Sequence, residues 1–418
     1  MSPRKMIALA AVLALSFLCF HDRLQSQGKD RIAEQKKALA SATSKLKAAG
    51  QELEKREKLF EKGAISKEEL ELHRQAFLAL KAAVDAQKQE LKFSLQAQEK
   101  NSIVPADAKL EKLFDGGVVL TEGVAIAPDN MVYFSDITFS HVAKDKKGVI
   151  EAGHIWKYDP KTGKATIFRS PSGMSNGIKF DAAGNMIVAE GADYGGRRVT
   201  RTDMKTGKSY IIAAMFEGKP FNSPNDITID EKGRIYFSDP RYLGHEPIEQ
   251  PVQAVYRIDP DGTIHRIITD AGKPNGVCVS PDQKTIYVVS NDNGTTGLDR
   301  IPKDTPVLKG RMALLAYDLS PEGMAKFRKV LVDYSPQDGP DGLVCDAEGN
   351  LYVAVRDETR PGIYVYSPSG KELAYVKTEV PTNVGFGRGP EGKTLYITAG
   401  KSLYRIRLNK EGYQLPSK

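Results

Sequence analysis

Acid and amide side chains recur at one position of a repeated sequence pattern, and side chains of these types can bind a cation. The position precedes the first apolar run of each repeat, and its six occupants all carry a side-chain oxygen: Glu122, Asn176, Asn225, Asn275, Asp341 and Asn383. Oxygen-only ligation suits a hard divalent cation such as Ca²⁺. Because two carboxylates among them would repel each other without a cation between them, the pattern predicts a Ca²⁺ site, although another divalent cation would fit the same oxygens.

Turn chemistry offers a second interpretation of three of these residues. Asn-Gly and Asp-Gly steps are turn formers, so Asn176, Asn275 and Asp341 could each be a repeated turn residue. Glu122 does not fit this interpretation, because glutamate has no special turn chemistry. The sequence leaves both interpretations open.

The elements that must position these residues are short strands. Six segments share an apolar alternation, a short turn and a second apolar run, as in "SNGIKFDAAGNMIVAEG" and "PNDITIDEKGRIYFSDP". Most are followed by a second hairpin, such as "AVYRIDPDGTIHRII". Four strands per unit in six units predict an all-β domain, a six-bladed β-propeller, over residues 107–418.

The predicted propeller brings further polar residues to the same channel mouth. The second strand of each unit runs antiparallel to the first, so its far end returns to the mouth where the first strand began. On this basis Asn176, Asn225, Glu190 and Asp239 are predicted to contact a substrate. Long connections at 241–251 and 293–310 predict that the functional site lies beneath them.

Residues 29–100 have a different period and predict an α-helical coiled-coil hairpin. Apolar residues recur every seven positions, and "KGAISKEEL" supplies a helix stop at Gly63 and a capping pattern at Ser66 and Glu69. The segment resembles the hairpin of periplasmic adaptor (membrane fusion) proteins. A generic spacer or a self-associating coiled coil is the alternative interpretation.

The first 28 residues have the order of an export signal. Arg4 and Lys5 precede an apolar run from Met6 to Phe20. This order predicts export to the periplasm or the medium, with either a cleaved signal peptide or an uncleaved anchor that tethers the chain to a membrane.

Composition and motifs exclude several function classes. The 60 Lys and Arg residues are interspersed with 53 Asp and Glu residues, and no basic block carries interleaved aromatics, so nucleic acid is not a predicted partner. The three cysteines form no C-x-x-C pair and imply no disulfide framework. The chain lacks the H-E-x-x-H and EF-hand patterns.

At the polar positions the chain resembles the SMP-30/gluconolactonase/luciferin-regenerating family over roughly residues 107–410. The resemblance implies that Glu122, Asn275 of "KPNGVCVSPD" and Asp341 of "GPDGLVCDAEG" bind the metal, and that Asn225 of "SPNDITID" contacts metal-bound water or substrate. Animal members of the family carry an arginine two places before that asparagine, where this chain has Ser223. The sugar-lactone preference of the animal members is therefore not implied.

These observations lead to the hypothesis of a Ca²⁺-dependent hydrolase that opens a lactone or a similar cyclic ester. Asp341 would accept a proton from the attacking water, and Asn225 would orient water or substrate. A small-molecule ester or organophosphate substrate is an alternative with the same metal site. A second class of function is a non-catalytic binding propeller with a structural metal, tethered by its helical hairpin.

Overall fold

The computed structural model describes residues 28–296 and 308–416. The chain divides into two compact units, Met1–Ser102 and Ile103–Lys418. The predicted export signal lies outside the described residues, except for its last position, and export stays a prediction. None of the described helices is both long enough and apolar enough to span a membrane.

The described part of the first unit consists of two helices, α1 (Gly28–Glu61) and α2 (Lys67–Asn101). Gly63 adopts φ +69° where α1 ends, and Ser66 Oγ accepts a hydrogen bond of 3.1 Å from the Glu69 N–H where α2 begins. The predicted stop and capping residues therefore lie where the chain reverses.

Small side chains make the closest contact between the two helices. Ala49 and Ala76 are buried with Leu80, and Gly50 lies against the Phe77 ring. Phe60, which belongs to the predicted apolar stripe, is exposed. The buried seam of α1 thus differs from the stripe of large residues, because alanine and glycine let the helix backbones approach closely.

The second unit is a ring of strands. The strands among the described residues are β1 (Glu111–Asp115), β2 (Leu120–Ile126), β3 (Val132–Ile137), β4 (His154–Asp159), β5 (Lys164–Arg169), β6 (Ser175–Phe180), β7 (Met186–Glu190), β8 (Arg198–Thr202), β9 (Ser209–Ala213), β10 (Met215–Phe216), β11 (Lys219–Pro220), β12 (Ile227–Ile229), β13 (Ile235–Asp239), β14 (Ala254–Ile258), β15 (Ile264–Ile268), β16 (Pro274–Val279), β17 (Thr285–Asn291), β18 (Met312–Leu319), β19 (Ala325–Asp333), β20 (Pro340–Cys345), β21 (Leu351–Val355), β22 (Gly362–Tyr366), β23 (Glu372–Lys377), β24 (Pro381–Phe386), β25 (Thr394–Ala399) and β26 (Ser402–Arg407). A short 3₁₀ helix covers Gly389–Glu391.

These strands form six four-stranded antiparallel sheets, which we number as blades 1 to 6 in chain order. Blade 1 is β2–β5, blade 2 is β6–β9, blade 3 is β12–β15, blade 4 is β16–β19, blade 5 is β20–β23, and blade 6 is β24–β26 with β1. The first strands of neighbouring blades contact one another around the ring. This architecture confirms the predicted six-bladed propeller preceded by two helices.

The ring is closed by a strand from the start of the propeller. The outermost strand of blade 6 is β1, which pairs antiparallel with β26 through Glu111 opposite Arg405 and Asp115 opposite Ser402. The sequence repeat did not assign this strand, since residues 111–115 precede the first copy. Closure of this kind pairs the two ends of the ring through backbone hydrogen bonds.

Apolar clusters lie between neighbouring blades. Tyr236 and Val255 of blade 3 pack with Val277 and Ile286 of blade 4 in one such cluster, and the other five interfaces around the ring have equivalent clusters. Burying one large aliphatic side chain contributes about 1.5–3 kcal/mol. The first strand of each blade is therefore packed against both neighbouring blades, and this packing fixes the position of its channel end.

Candidate functional site

The first strands bring the predicted polar residues to one end of the channel. A cavity of about 340 Å³ opens there, and five of the six predicted residues line it: Glu122, Asn176, Asn225, Asn275 and Asp341. Asn383 does not line the cavity but lies beside it, and its Nδ2 donates a hydrogen bond of 3.3 Å to Glu122 Oε2. The sequence alignment therefore placed the polar ring correctly.

The turn interpretation of Asn176, Asn275 and Asp341 is wrong. These residues lie within β6, β16 and β20. Each is followed by an irregularity in the pairing with the second strand of its blade. The irregularity releases the polar side chain from the regular ladder, as a β-bulge does beside many active sites.

The glycine after the polar residue is explained by close packing around the axis. A Cβ atom on Gly276 would lie 2.3 Å from the Asp341 carbonyl oxygen, and one on Gly123 would lie 1.7 Å from the Asn176 carbonyl oxygen. Gly276 has no positive φ, so its conformation alone would allow another residue. Glycine is needed because the first strands of neighbouring blades touch at this level.

In blade 3 the residue after the polar one is Asp226 instead of glycine, and the sequence analysis missed it. Its side chain is buried, with Oδ1 accepting from the Ile227 N–H at 2.9 Å. Burial raises the pKa of the Asp226 carboxyl, and its charge contributes to raising the pKa of Glu122. The aligned column reads glycine, glycine, aspartate, glycine, glycine and valine, so the single acid was a signal that could have been found.

Asp341 is held by Arg356, a second residue that the sequence analysis missed. Arg356 Nη1 donates to Asp341 Oδ2 at 2.9 Å, whereas Asp341 Oδ1 is buried without a hydrogen-bond partner among the described residues. Burial raises the pKa of the Asp341 carboxyl to about 6, and the Arg356 guanidinium opposes this rise. Burial and the charge of Asp341 hold the pKa of Glu122 well above its usual range.

Glu122 and Asn275 are each fixed through one side-chain atom. Glu122 Oε2 accepts from the Gly123 N–H at 2.9 Å as well as from Asn383. Asn275 Nδ2 donates to the Tyr242 hydroxyl at 3.3 Å, and that hydroxyl donates to the Asn291 carbonyl oxygen at 3.0 Å. Tyr242 therefore orients Asn275, and the sequence analysis did not assign this role to Tyr242.

Asn225 has a fixed backbone and a side-chain oxygen without a partner. Its N–H donates to the Ser238 carbonyl oxygen at 2.9 Å, and its own carbonyl oxygen accepts from the Gly177 N–H at 2.7 Å. Asn225 Oδ1 is buried and has no hydrogen-bond partner in the described chain. Such an orphaned oxygen facing a cavity indicates a site for a ligand, a cation or a bound water.

The prediction that Glu190 and Asp239 contact a substrate needs correction. Neither carboxylate is among the residues that line the cavity. Glu190 accepts from Arg169, Arg198 and Thr200, at 3.1, 2.7 and 3.0 Å. Asp239 accepts from the backbone N–H groups of Asn222 and Ser223, at 2.8 and 2.7 Å. Antiparallel pairing returned both residues to the correct end of the blade, but the Glu190 side chain binds residues of β5 and β8. The Asp239 side chain holds the connection that leads into β12.

Both long connections contribute to the cavity, as the sequence predicted. Tyr242 and Leu243 come from the first connection, and Asn293 and Thr295 come from the described start of the second. Residues 297–307 of the second connection lie outside the described residues. Lys273 anchors the described part, because its buried Nζ donates to Asn293 Oδ1 at 2.8 Å and to the Thr295 carbonyl oxygen.

A smaller cavity of about 100 Å³ lies at the other end of the first strands. Its walls are mostly apolar and include Cys278 and Cys345, whose sulfur atoms are 3.2 Å apart. The C-terminal residues Tyr413 and Leu415 also line it. It lacks a converging set of side-chain oxygens, so we take the larger cavity as the candidate site.

The oxygens of the larger cavity fit a hard divalent cation. No three His, Cys, Asp or Glu side chains gather as a metal site within the described ranges. The oxygens that converge belong instead to two carboxylates and to amides, which is a donor set typical of Ca²⁺ and Mg²⁺. Asp341 Oδ1 and Asn225 Oδ1 have no protein partner, and a cation or its water would satisfy both.

Comparison with known proteins places this geometry in a family. The chain is 31% identical over 253 residues to a gluconolactonase of Zymomonas mobilis, an alignment that covers 59% of this chain and 65% of that protein. The chain thus spans slightly less than two thirds of that relative.

Solved structures give the same fold. One described as a candidate gluconolactonase matches with a TM-score of 0.61 at 29% identity and covers 76% of this chain and 97% of its own. A calcium-binding regucalcin from Agrobacterium tumefaciens matches with a TM-score of 0.56 at 18% identity over 75% of this chain and 98% of its own, and shows the fold alone. The model of the SMP-30/Gluconolactonase/LRE-like region matches residues 120–401. The chain therefore belongs to the SMP-30/gluconolactonase/LRE-like family.

Proposed function

We propose that the protein hydrolyses lactones or similar cyclic esters, and that a divalent cation, Ca²⁺ in the first instance, is held by Glu122, Asn275 and Asp341. The observation that carries the proposal is the buried and unpartnered Oδ1 of Asp341, a residue that lines one cavity together with Glu122 and Asn275. The similarity to a gluconolactonase supports the lactone as substrate.

A bound divalent cation supplies a Lewis acid that polarises an ester carbonyl. The protein's own part is to keep oxygens aimed at one place without reorganisation. Gly123 and Asn383 fix Glu122, Tyr242 fixes Asn275, and Arg356 fixes Asp341. Hydrogen-bond partners of this kind orient the residues that bind a metal directly and raise the metal affinity of the site.

Asp341 is the group that accepts a proton from the attacking water. Burial raises the pKa of Asp341 to about 6 in the metal-free protein, and a bound cation would favour the ionised form further, so the carboxylate is ionised at neutral pH and can accept a proton. Because Oδ1 would hold the cation, the proton goes to Oδ2, which has a second lone pair beside the one that accepts from Arg356. Asn225 presents its free Oδ1 to the same cavity and orients the water or the substrate. Asn176 lines the cavity next to it.

A panel of lactones assayed with and without Ca²⁺ tests the proposal. The variants are Glu122→Gln and Asp341→Ala, and the control is Glu358→Gln, which removes an exposed acid two residues after Arg356 in the sequence. Turnover of at least one lactone is expected from the wild type. Loss of a general base or of a charge-stabilising group costs about 10²-fold or more, so both variants should fall by at least that factor while the control keeps full activity.

Two outcomes contradict the proposal. If the wild type turns over no lactone with any divalent cation, lactone hydrolysis is wrong. If it binds Ca²⁺ with the same residues but has no hydrolytic activity, the protein is a binding propeller with a structural metal. Variants as active as the wild type would refute the roles given to Glu122 and Asp341.

A further inference from the structure

Arg356 places a cation in the wall of the candidate site, beyond the residues that would hold a metal. Its side chain is 29% exposed and lines the cavity. Nη1 donates to Asp341 Oδ2 at 2.9 Å, and no other acceptor bonds to the side chain among the residues that the structure describes. A guanidinium carries five N–H donors in a rigid fork, so most of the donors of Arg356 are available to a ligand.

Arg356 is the counterion of Asp341 in the structure, and a bound divalent cation would take over part of that role. The cation would balance the two charges of Glu122 and Asp341. Asp193, the third carboxylate of the lining, accepts from the backbone N–H and the hydroxyl of Ser140, at 2.7 and 2.5 Å. Asp226 lies close enough to act on Asp341, but the nearby charge of Lys179 offsets that of Asp226.

Another part of the lining is apolar. It consists of side chains from blades 1 and 2 and from the connection after β13: Leu120, Ile137, Phe139, Met174 and Leu243. A lactone with hydroxyls around its ring would leave several of them without partners against these side chains, at a cost of about 1–3 kcal/mol for each buried group. Besides its amides and carboxylates, the cavity therefore offers the donors of Arg356 and a part of the wall that cannot form hydrogen bonds.

We propose that the site selects lactones that carry an acidic substituent, such as a carboxylate, and that Arg356 binds this group. The inference rests on the proposed lactonase function and names its substrate class. A planar carboxylate matches the fork of a guanidinium, and Arg356 can keep one N–H on Asp341 while it gives others to the substrate. Arg356 is thus the residue that determines specificity for the acid.

Binding is measured first, with compounds that cannot be hydrolysed. The probes are a tetrahydrofuran with a carboxylate on the carbon next to the ring oxygen and the primary amide of the same compound. Their affinities are measured by calorimetry on the full-length protein in the presence of Ca²⁺. The variants are Arg356→Gln and Arg356→Lys, and the matched control is Arg360→Gln, since Arg360 is exposed and pairs with Glu372.

The expected result is a preference for the acid that depends on Arg356. The wild type should bind the carboxylate about tenfold or more tightly than the amide, as expected for a charge-assisted bidentate pair. Arg356→Gln should remove this preference, and Arg356→Lys should keep part of it. Arg360→Gln should match the wild type.

Equal binding of both probes by the wild type, or no binding of the carboxylate, overturns the inference. So does an equal loss of both probes in Arg356→Gln, because Arg356 would then act only by positioning Asp341. If circular dichroism shows that Arg356→Gln does not fold, the wild type and Arg356→Lys decide the question.

Turnover separates this inference from the proposed function. The substrates are the two γ-butyrolactones with the same carboxylate or amide substituent. If the protein binds the carboxylate more tightly in a way that depends on Arg356 but hydrolyses neither lactone, the acid site is supported and the lactonase proposal is wrong. Hydrolysis of both lactones with equal KM would contradict the acid site and leave the lactonase proposal standing.

Discussion

Each candidate metal ligand is oriented through one side-chain atom and has one oxygen left over. Arg356 binds Oδ2 of Asp341, and Asn383 binds Oε2 of Glu122. One carboxylate oxygen is hydrogen-bonded within the protein, which holds the buried carboxylate in place. The other oxygen therefore remains available to a ligand. This arrangement also makes metal binding compete with protons, because both would occupy the free oxygen.

Metal affinity is therefore expected to rise with pH. Burial raises the pKa of Asp341 to about 6 in the metal-free protein, so below this pH a proton must leave before a cation binds. Release of a proton from Asp341, with a further contribution from Glu122, predicts an affinity for Ca²⁺ that falls at least about tenfold per pH unit below pH 6. Calorimetric titration with Ca²⁺ across this pH range measures the slope.

Asp341→Asn supplies the control for the pH dependence. This variant keeps the side-chain shape but has no proton to release, so its weaker affinity should change less with pH, with only the raised pKa of Glu122 left to contribute. An identical slope in the wild type and in Asp341→Asn would show that Asp341 does not bind the cation.

At this scale the sequence predicted the ring of polar residues but not their partners. Glu122, Asn275 and Asp341 recur at one repeat position, so an alignment of repeats finds them. Arg356 and Tyr242 lie in connections after second strands, where the repeat no longer fixes the register. Their contacts depend on the paths of two loops, which no period in the sequence encodes.

At the scale of elements, the glycine after each polar residue sets how closely the first strands approach. A Cβ on Gly276 would lie 2.3 Å from the Asp341 carbonyl oxygen and 2.7 Å from a methyl group of Leu343. The carbonyl oxygen belongs to the backbone of β20, so it cannot move away without shifting Asp341. The same substitution therefore tests packing and the site together.

Gly276→Ala is expected to lower both stability and activity. Overpacking of a tight contact costs about 1–3 kcal/mol, and the displaced Asp341 should reduce lactone turnover by at least about tenfold. The free energy of unfolding in urea and the turnover of the best lactone measure the two effects.

Gly163→Ala is the matched control for this substitution. Gly163 lies in the β4–β5 turn with φ +69° and with nothing within 4 Å of the position of a Cβ, so alanine there strains only the turn. The control should lose about 1 kcal/mol and keep full activity. Equal effects of the two substitutions would refute the idea that close packing at the axis positions Asp341.

Strand pairing was predictable from the sequence, whereas the contacts of the side chains at the strand ends were not. Antiparallel pairing correctly returned Glu190 and Asp239 to the mouth, because alternation and turn residues fix the length of each hairpin. Alternation does not tell which neighbour a strand-end carboxylate meets. In both blades the neighbour is the protein itself: the cations Arg169 and Arg198 for Glu190, and backbone N–H groups for Asp239.

At the scale of the whole molecule, the repeats predicted the number of blades but not how the ring closes. The sixth repeat supplies three strands, and the fourth, β1, lies about 290 residues earlier in the chain, opposite β26. No local pattern could reveal this pairing, because β1 has no partner in its own part of the sequence. The propeller is therefore one cooperative unit that needs both of its ends.

The two compact units give a prediction about the helices. Residues 103–418 contain all six blades and the clusters between them, so this fragment should fold alone. Its melting temperature and lactone turnover should match those of the propeller in the full-length protein. A fragment that does not fold would show that the helices contribute to the stability of the propeller.

A shorter fragment tests the closing strand, with residues 103–418 as its control. A chain that starts at Gly116 lacks β1, its pairing with β26, and the side chain of Phe114, whose ring lies 5.3 Å from Phe134 and 4.9 Å from Trp156. It also lacks Ile103, which is buried in the cluster of blades 5 and 6. The loss of the buried Ile103, at about 2–5 kcal/mol, and of the half-buried Phe114, together with the ladder hydrogen bonds, approaches the whole stability of a typical domain. The fragment is therefore expected to be unfolded or to melt far below the control. Thermal melting followed by circular dichroism measures this difference. A fragment that melts at the same temperature as the control would show that the ring does not depend on β1.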